Sequence, residues 1–273
     1  MAEFLAPVDL AKALVGVGEK KAALPWAKML ILGILAGVFI GFAAHLATTV
    51  GTGPCDWSGG KRFLVGAVFS CGLMLVIIPG SELWTGNNLM TVALCENKIS
   101  VAAMLKNWLF VYFGNLLGSI FLAWMIAGMT GLTNGPVGAT AIDIAGSKCG
   151  LTPVQMIFRG ICCNWLVCLA VMMAVSAQDI AGKVWAIFFP IMAFVTSGFE
   201  HSIANMYFIP AGLLSKGLEA ARNAAAAANV EALTVAGFAK NIFFVTVGNF
   251  IGGAIFVGVV YWWLFVRQPK TQS

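Results

Sequence analysis

Hydrophobic positions along this chain run in long blocks separated by short polar connections. Six blocks satisfy the ~20 apolar residues that a helix needs to cross a bilayer: residues 26–50, 62–93, 101–129, 153–175, 183–214 and 239–266. The second is interrupted near Pro79-Gly80 and the fifth near Gly198. Proline removes a backbone donor, and glycine admits dihedrals closed to other residues, so both spans are expected to break there. Ahead of the first span, Leu10, Leu14 and Val17 recur at helical spacing within 7–21, with Asp9, Lys12, Glu19 and Lys20 on the other side. That pattern predicts a short amphipathic helix lying at the membrane interface.

Composition agrees with the blocks. Of 273 residues, 60% are hydrophobic and only 10% charged, against about 25% charged in an ordinary soluble domain. The chain reads as an all-α integral membrane protein whose residues 1–273 form one transmembrane domain. The net charge of +5 is scattered through the connections, with no basic block for nucleic acid. With the N-terminus inside, Lys and Arg divide nine inside to seven outside, which favours cytoplasmic termini by a small margin. The start Met1-Ala2-Glu3 does not resemble a secretory or transit leader, which points to a bacterial or archaeal plasma membrane. Seven cysteines, at 55, 71, 95, 149, 162, 163 and 168, show no metal-ligand spacing and read as small hydrophobes. No metal or cofactor is expected. No nucleophile–base pair or nucleotide loop suggests an enzyme.

The chain also repeats itself. Lys106-Asn107-x-x-Phe110-Val111-x-x-Gly114-Asn115-x-x-Gly118 in the third span recurs as Lys240-Asn241-x-x-Phe244-Val245-x-x-Gly248-Asn249-x-x-Gly252 in the sixth. Gly80-x-Glu82-x-x-x-x-Asn87 in the second recurs as Gly198-x-Glu200-x-x-x-x-Asn205 in the fifth. The two offsets differ because of an Ala-rich connection around 218–233. Two halves, 26–129 and 153–266, each holding an odd number of spans, must face opposite ways. The expectation is a 3+3 inverted repeat with broken helices meeting near the midplane. The Gly-x-x-x-Gly spacings in the third and sixth spans read as close helix packing.

Ionisable residues at bilayer depth are costly and face a cavity or a partner. The stretch Gly198-Phe199-Glu200-His201 places two of them at a break. An imidazole titrates near pH 6.5 when unperturbed, so His201 can exchange a proton or hydrogen bond with a passing weak acid. Half-helices starting at the breaks are expected to aim free N–H groups inward, which suits an anion. Ionised Glu82 and Glu200 would repel that anion. They are expected to bond backbone donors of the broken segments and hold them, with Asn87 and Asn205 in the same scaffold.

Three motifs then carry a resemblance. Gly80-Ser81-Glu82-Leu83-Trp84-Thr85-Gly86-Asn87, Cys163-Asn164-Trp165-Leu166-Val167-Cys168-Leu169-Ala170 and Phe194-x-x-x-Gly198-Phe199-Glu200-His201-Ser202-Ile203-Ala204-Asn205-Met206 resemble those of the formate/nitrite transporter family. The resemblance spans all six blocks and implies a homopentamer of aquaporin-like protomers, each with its own pore. It places His201 as the central pore histidine, Thr85 beside it on the interrupted second helix, and Asn164 on the pore side. It places Phe69, Leu73, Leu83, Val167 and Phe194 in two apolar constrictions. Lys148, which on spacing alone is a solvated lysine in the connection before the fourth span, becomes a vestibule lysine that draws anions in. Trp84 departs from the usual Phe of the second-helix motif.

The implied function is transport of small monovalent weak-acid anions, formate or nitrite first, through a pore that is passive or proton-coupled. Hydrosulfide and bicarbonate are alternatives, as is a channel for a neutral, water-like solute. The expected partners are the small anion, the lipid bilayer and four further copies of the chain.

Overall fold

The computed structural model describes residues 4–54, 58–225 and 229–267; Cys55, Lys270 and the Met1-Ala2-Glu3 start lie outside them. The helices are α1 Pro7–Ala22, α2 Trp26–Val50, α3 Ser58–Phe69, α4 Cys71–Ile77, α5 Trp84–Asn87, α6 Met90–Cys95 and α7 Val101–Ala123. They continue as α8 Pro136–Cys149, α9 Pro153–Ser176, α10 Ile180–Thr196, α11 Ser202–Lys216, α12 Glu219–Ala224 and α13 Val235–Phe250. The last turns after α7 and α13 widen into π-helix over Trp124–Met129, Ile251–Val259 and Trp262–Val266.

Among the described residues, five continuous helical stretches are long and apolar enough to cross a membrane: Trp26–Val50, Ser58–Ile77, Val101–Met129, Pro153–Ser176 and Val235–Val266. A sixth apolar helix, α10, is shorter, because its span ends at the expected break and α11 carries the remainder. Both breaks are built alike. Gly80 has φ +96° and Gly198 has φ +75°, conformations that only glycine adopts freely. Just beyond them, Ser81 N–H returns to Val76 O at 2.9 Å and Phe199 N–H to Phe194 O at 3.1 Å. These are the six-to-one bonds of a glycine-terminated helix end.

The helices around the breaks approach through glycine. Gly33 and Gly37 on α2 face Gly114, Asn115 and Gly118 on α7, and a Cβ at Gly118 would overlap the Ile34 carbonyl. On the other side Gly160 on α9 faces Gly248 and Gly252 on α13 in the same manner. With nothing to gain from burying apolar surface away from lipid, such helices are held by close van der Waals packing and hydrogen bonds.

The N-terminal helix forms where it was expected and packs on the bundle. Leu10, Leu14 and Val15 of α1 pack with Leu89, Val92, Ala93 and Met172, and Gly18 lies against Ala93. Leu10, Leu14 and Val15 of its apolar stripe are covered by protein. The packing also turns Lys21, at its end, inward toward Glu82.

Candidate functional site: two lysine–glutamate cradles around a histidine

Each break is pinned by one buried asparagine from a neighbouring helix. Asn115 of α7 accepts the Trp84 N–H through Oδ1 at 3.0 Å and donates through Nδ2 to Gly33 O at 2.8 Å and Glu82 O at 2.9 Å. Asn249 of α13 accepts the Ser202 N–H at 2.8 Å and donates to Gly160 O at 2.8 Å and Glu200 O at 2.9 Å. Each therefore meets two backbone groups of a break and ties them to a carbonyl of a neighbouring continuous helix, α2 or α9.

The carboxylates do something other than expected. Glu82 accepts from Lys21 Nζ at 2.6 Å and Asn87 Nδ2 at 2.7 Å; Glu200 accepts from Lys148 Nζ at 3.0 Å and Asn205 Nδ2 at 2.7 Å. Their donors are side chains, because the pinning asparagines and the Leu32 and Arg159 carbonyls already engage the nearby backbone. Asn87 also donates to Asn107 and Asn205 to Asn241, both at 2.8 Å. Asn107 and Asn241 in turn donate to the backbone carbonyls of Lys21 and Lys148. Two cradles of matching composition result, one at each break.

Lys148 is not in a loop. It sits in the last turn of α8, where the helix's carbonyl end favours a cation, with its ammonium 5.3 Å above the Phe208 ring. Some of the N–H groups at the half-helix starts are already engaged: Trp84, Ser202 and Ala204 each donate to a side chain.

Two cavities flank the centre. One, of about 250 Å³, is lined by Lys21, Leu73, Gly80, Leu83 and Asn87 among others. The second, of about 170 Å³, is lined by Lys148, Phe69, Phe194, Glu200, His201 and Phe208 among others. The five constriction residues are thus divided. Leu73 and Leu83 face the first cavity and Phe69 and Phe194 the second, while Val167 is buried in the same apolar cluster. Phe69 meets Phe194 edge-on at 5.8 Å, and the Phe194 ring lies 5.9 Å from His201.

Between the matched Glu and Asn of each break the two halves differ: Leu83 stands where the second half has His201, and Thr85 where it has Ile203. His201 Nε2 lies 2.9 Å from Thr85 Oγ1, and its Nδ1 accepts the Ala204 N–H at 3.1 Å. Both residues are shielded from solvent. The Thr85 carbonyl is held by Asn164 Nδ2 at 3.3 Å and Cys168 Sγ at 3.4 Å, and Asn164 Nδ2 also reaches Asn249 O at 2.7 Å. Trp84 is wedged edge-on between Tyr112 and Trp108, with ring centroids at 5.3 and 6.0 Å, so this loop is clamped by aromatic packing.

A family model described as formate/nitrite transporter matches residues 8–263. The chain belongs to the formate/nitrite transporter family. This family member is 39% identical to a probable formate transporter of Methanothermobacter thermautotrophicus over 97% of its own length and 98% of that protein. Among solved structures it resembles an FNT family ion channel, with a TM-score of 0.81 and 30% identity over 93% of this chain and 98% of that one. It also resembles a pentameric formate channel with formate bound, with a TM-score of 0.77 and 37% identity over 89% and 98% of the respective chains. As a multi-pass membrane transporter it needs a polar route through an apolar interior, and the two cavities with the Thr85–His201 pair form the polar centre of its fold.

Sequence reasoning missed Lys21, Asn107, Asn115, Asn241 and Asn249 as site residues. The four asparagines were visible as the polar members of a repeated motif within apolar spans. Lys21 had no such mark; its relation to Lys148 emerges only when both reach equivalent carboxylates.

Proposed function

We propose that this chain forms a pore for small monovalent weak-acid anions, formate or nitrite, and that the route joins the two cavities past Thr85 and His201. The observation that carries this reading is the Thr85–His201 hydrogen bond, the polar contact across an otherwise apolar centre flanked by two lysine–glutamate cradles. The formate bound in one structural relative and the formate name of one sequence relative point the same way.

The electrostatics divide the work. A bare carboxylate in a medium as apolar as the Phe69–Phe194 constriction faces a Born cost of tens of kcal/mol unless it is neutralised or hydrogen-bonded. Lys21 on one side and Lys148 on the other raise the local anion concentration, while their partner glutamates keep each lysine in place. Leu73, Leu83, Val167, Phe69 and Phe194 strip water. Thr85 and His201 then supply the hydrogen bond or proton that lets the anion, or its acid, pass. Asn164 holds the Thr85 loop, and Glu82, Glu200, Asn87 and Asn205 support the two breaks.

The matched cradles support a 3+3 inverted repeat. Each break is pinned by an asparagine of the same repeated motif, and an odd number of spans per half sets the halves in opposite senses. On this reading the cradles lie on opposite sides of the membrane in an aquaporin-like protomer, and the Lys and Arg distribution supports cytoplasmic termini. The pentameric relative supports a homopentamer with one pore per protomer, in a bacterial or archaeal plasma membrane and with no enzymatic role.

Proteoliposomes test the reading. Formate, nitrite and hydrosulfide influx is measured with the wild type and with His201→Ala. The wild type should conduct formate or nitrite well above empty vesicles, and the variant should lose most of that flux. Undiminished flux and pH dependence in the variant would remove the histidine from the mechanism.

A further inference from the structure

The imidazole of His201 has two nitrogens, and one is already committed. His201 is the N-cap residue of α11, and its Nδ1 accepts the backbone N–H of Ala204, the third residue of the helix, at 3.1 Å. A backbone N–H can only donate, so Nδ1 must present its lone pair. In a neutral ring the proton then resides on Nε2, and Nε2–H donates to Thr85 Oγ1 at 2.9 Å. Side-chain caps are normally supplied by Ser, Thr, Asp or Asn; here an imidazole fills the role. At the equivalent place before α5, Leu83 gives no side-chain cap.

We infer that His201 acts as a helix cap, locked as the Nε2–H tautomer, and cannot take a second proton without releasing the first turn of α11. A proton on Nδ1 would oppose two donors at the Ala204 amide. Protonation and uncapping are therefore one event. The neighbours reinforce the lock. Asn249 holds the Ser202 N–H at the same helix start, and Phe194 packs against the ring. Among the described residues Thr85 Oγ1 makes this one hydrogen bond. With Nε2–H pointing at its oxygen, the threonine keeps its own hydroxyl hydrogen for a substrate oxygen.

For transport, which rests on the proposed anion route, the consequence is a division of labour. Thr85 is the group that donates to the anion, and the neutral ring polarises that hydroxyl from behind. No proton leaves the histidine in this step. A departing neutral acid therefore takes its proton from a source other than the histidine.

The test reads ring and cap directly. The full chain is labelled with ¹⁵N-histidine in lipid nanodiscs on a His45→Gln background, leaving a single imidazole. Ring ¹⁵N shifts at neutral pH should report a bare Nδ1 and a protonated Nε2. A protonated Nδ1, whether as the other tautomer or as imidazolium, would overturn the inference. Hydrogen exchange of the Ala204 amide supplies the second readout. His201→Asn keeps an acceptor at the position of Nδ1 and should preserve protection, whereas His201→Gln should exchange roughly five-fold faster, the scale of a lost cap. Equal exchange in wild type and His201→Gln would refute the cap, and the wild-type shifts decide the tautomer even where a variant fails to fold. Neither readout involves flux, so failure of the transport reading would appear separately in the proteoliposome assay.

Discussion

Asn249 is where the account is most exposed to a quantitative test. Changing it to Ala deletes the acceptor for the Ser202 N–H and the donor to the Gly160 and Glu200 carbonyls, three hydrogen bonds of 2.8, 2.8 and 2.9 Å. Polar contacts inside membrane proteins average about 0.6 kcal/mol each, which gives roughly 2 kcal/mol for three. Groups left buried and unsatisfied cost about 1–3 kcal/mol each, which gives roughly 3 kcal/mol or more. The site is fully shielded, with Asn249 at 0% exposure, so the second figure weighs more and the expected loss is about 3 kcal/mol. Equilibrium unfolding in mixed lipid–SDS micelles measures it. Asn249→Asp should be worse than Asn249→Ala, because it replaces two donated bonds by a charge facing two carbonyls. Formate flux should fall at least ten-fold in both, since Glu200 and Ser202 flank His201. A loss below about 0.5 kcal/mol with flux intact, the level of an ordinary surface change, would refute the reasoning.

Three other changes probe the cradles and the packing. Lys148→Ala and Lys21→Ala should each reduce anion entry at low concentration from their own side and recover at high concentration; concentration-independent rates would assign both lysines to scaffold alone. Gly118→Ala drives a methyl into the Ile34 carbonyl across the α2–α7 contact and should lower stability by about 1–3 kcal/mol. An unchanged unfolding midpoint would show that the two helices separate freely at that point.

The places where sequence and structure part company have physical causes. The long apolar blocks and both glycine breaks were legible because periodicity and backbone permission are local properties. The twin bonds made by Glu82 and Glu200 were not, since their donors arrive from α1 and α8, far along the chain. Amphipathicity marked the apolar face of the N-terminal helix but not the protein that covers it. Lys148 looked like a loop residue because α8 is short and rich in Gly and Ala, a weak helical pattern. His201 stood out by its lack of a counterpart, yet its capping bond depends on a backbone conformation that residue identity alone does not disclose.

The central claim is a route for weak-acid anions through each chain, and the comparison of formate with a neutral solute addresses it most directly. Vesicles containing the wild-type protein are challenged with equal osmotic gradients of ammonium formate, with a protonophore present to balance charge, and of glycerol, and swelling is followed by light scattering. Rapid swelling is expected in formate and, in glycerol, no more than that of protein-free vesicles. Equal rates in both, or formate entry no faster than in protein-free vesicles, would contradict that claim.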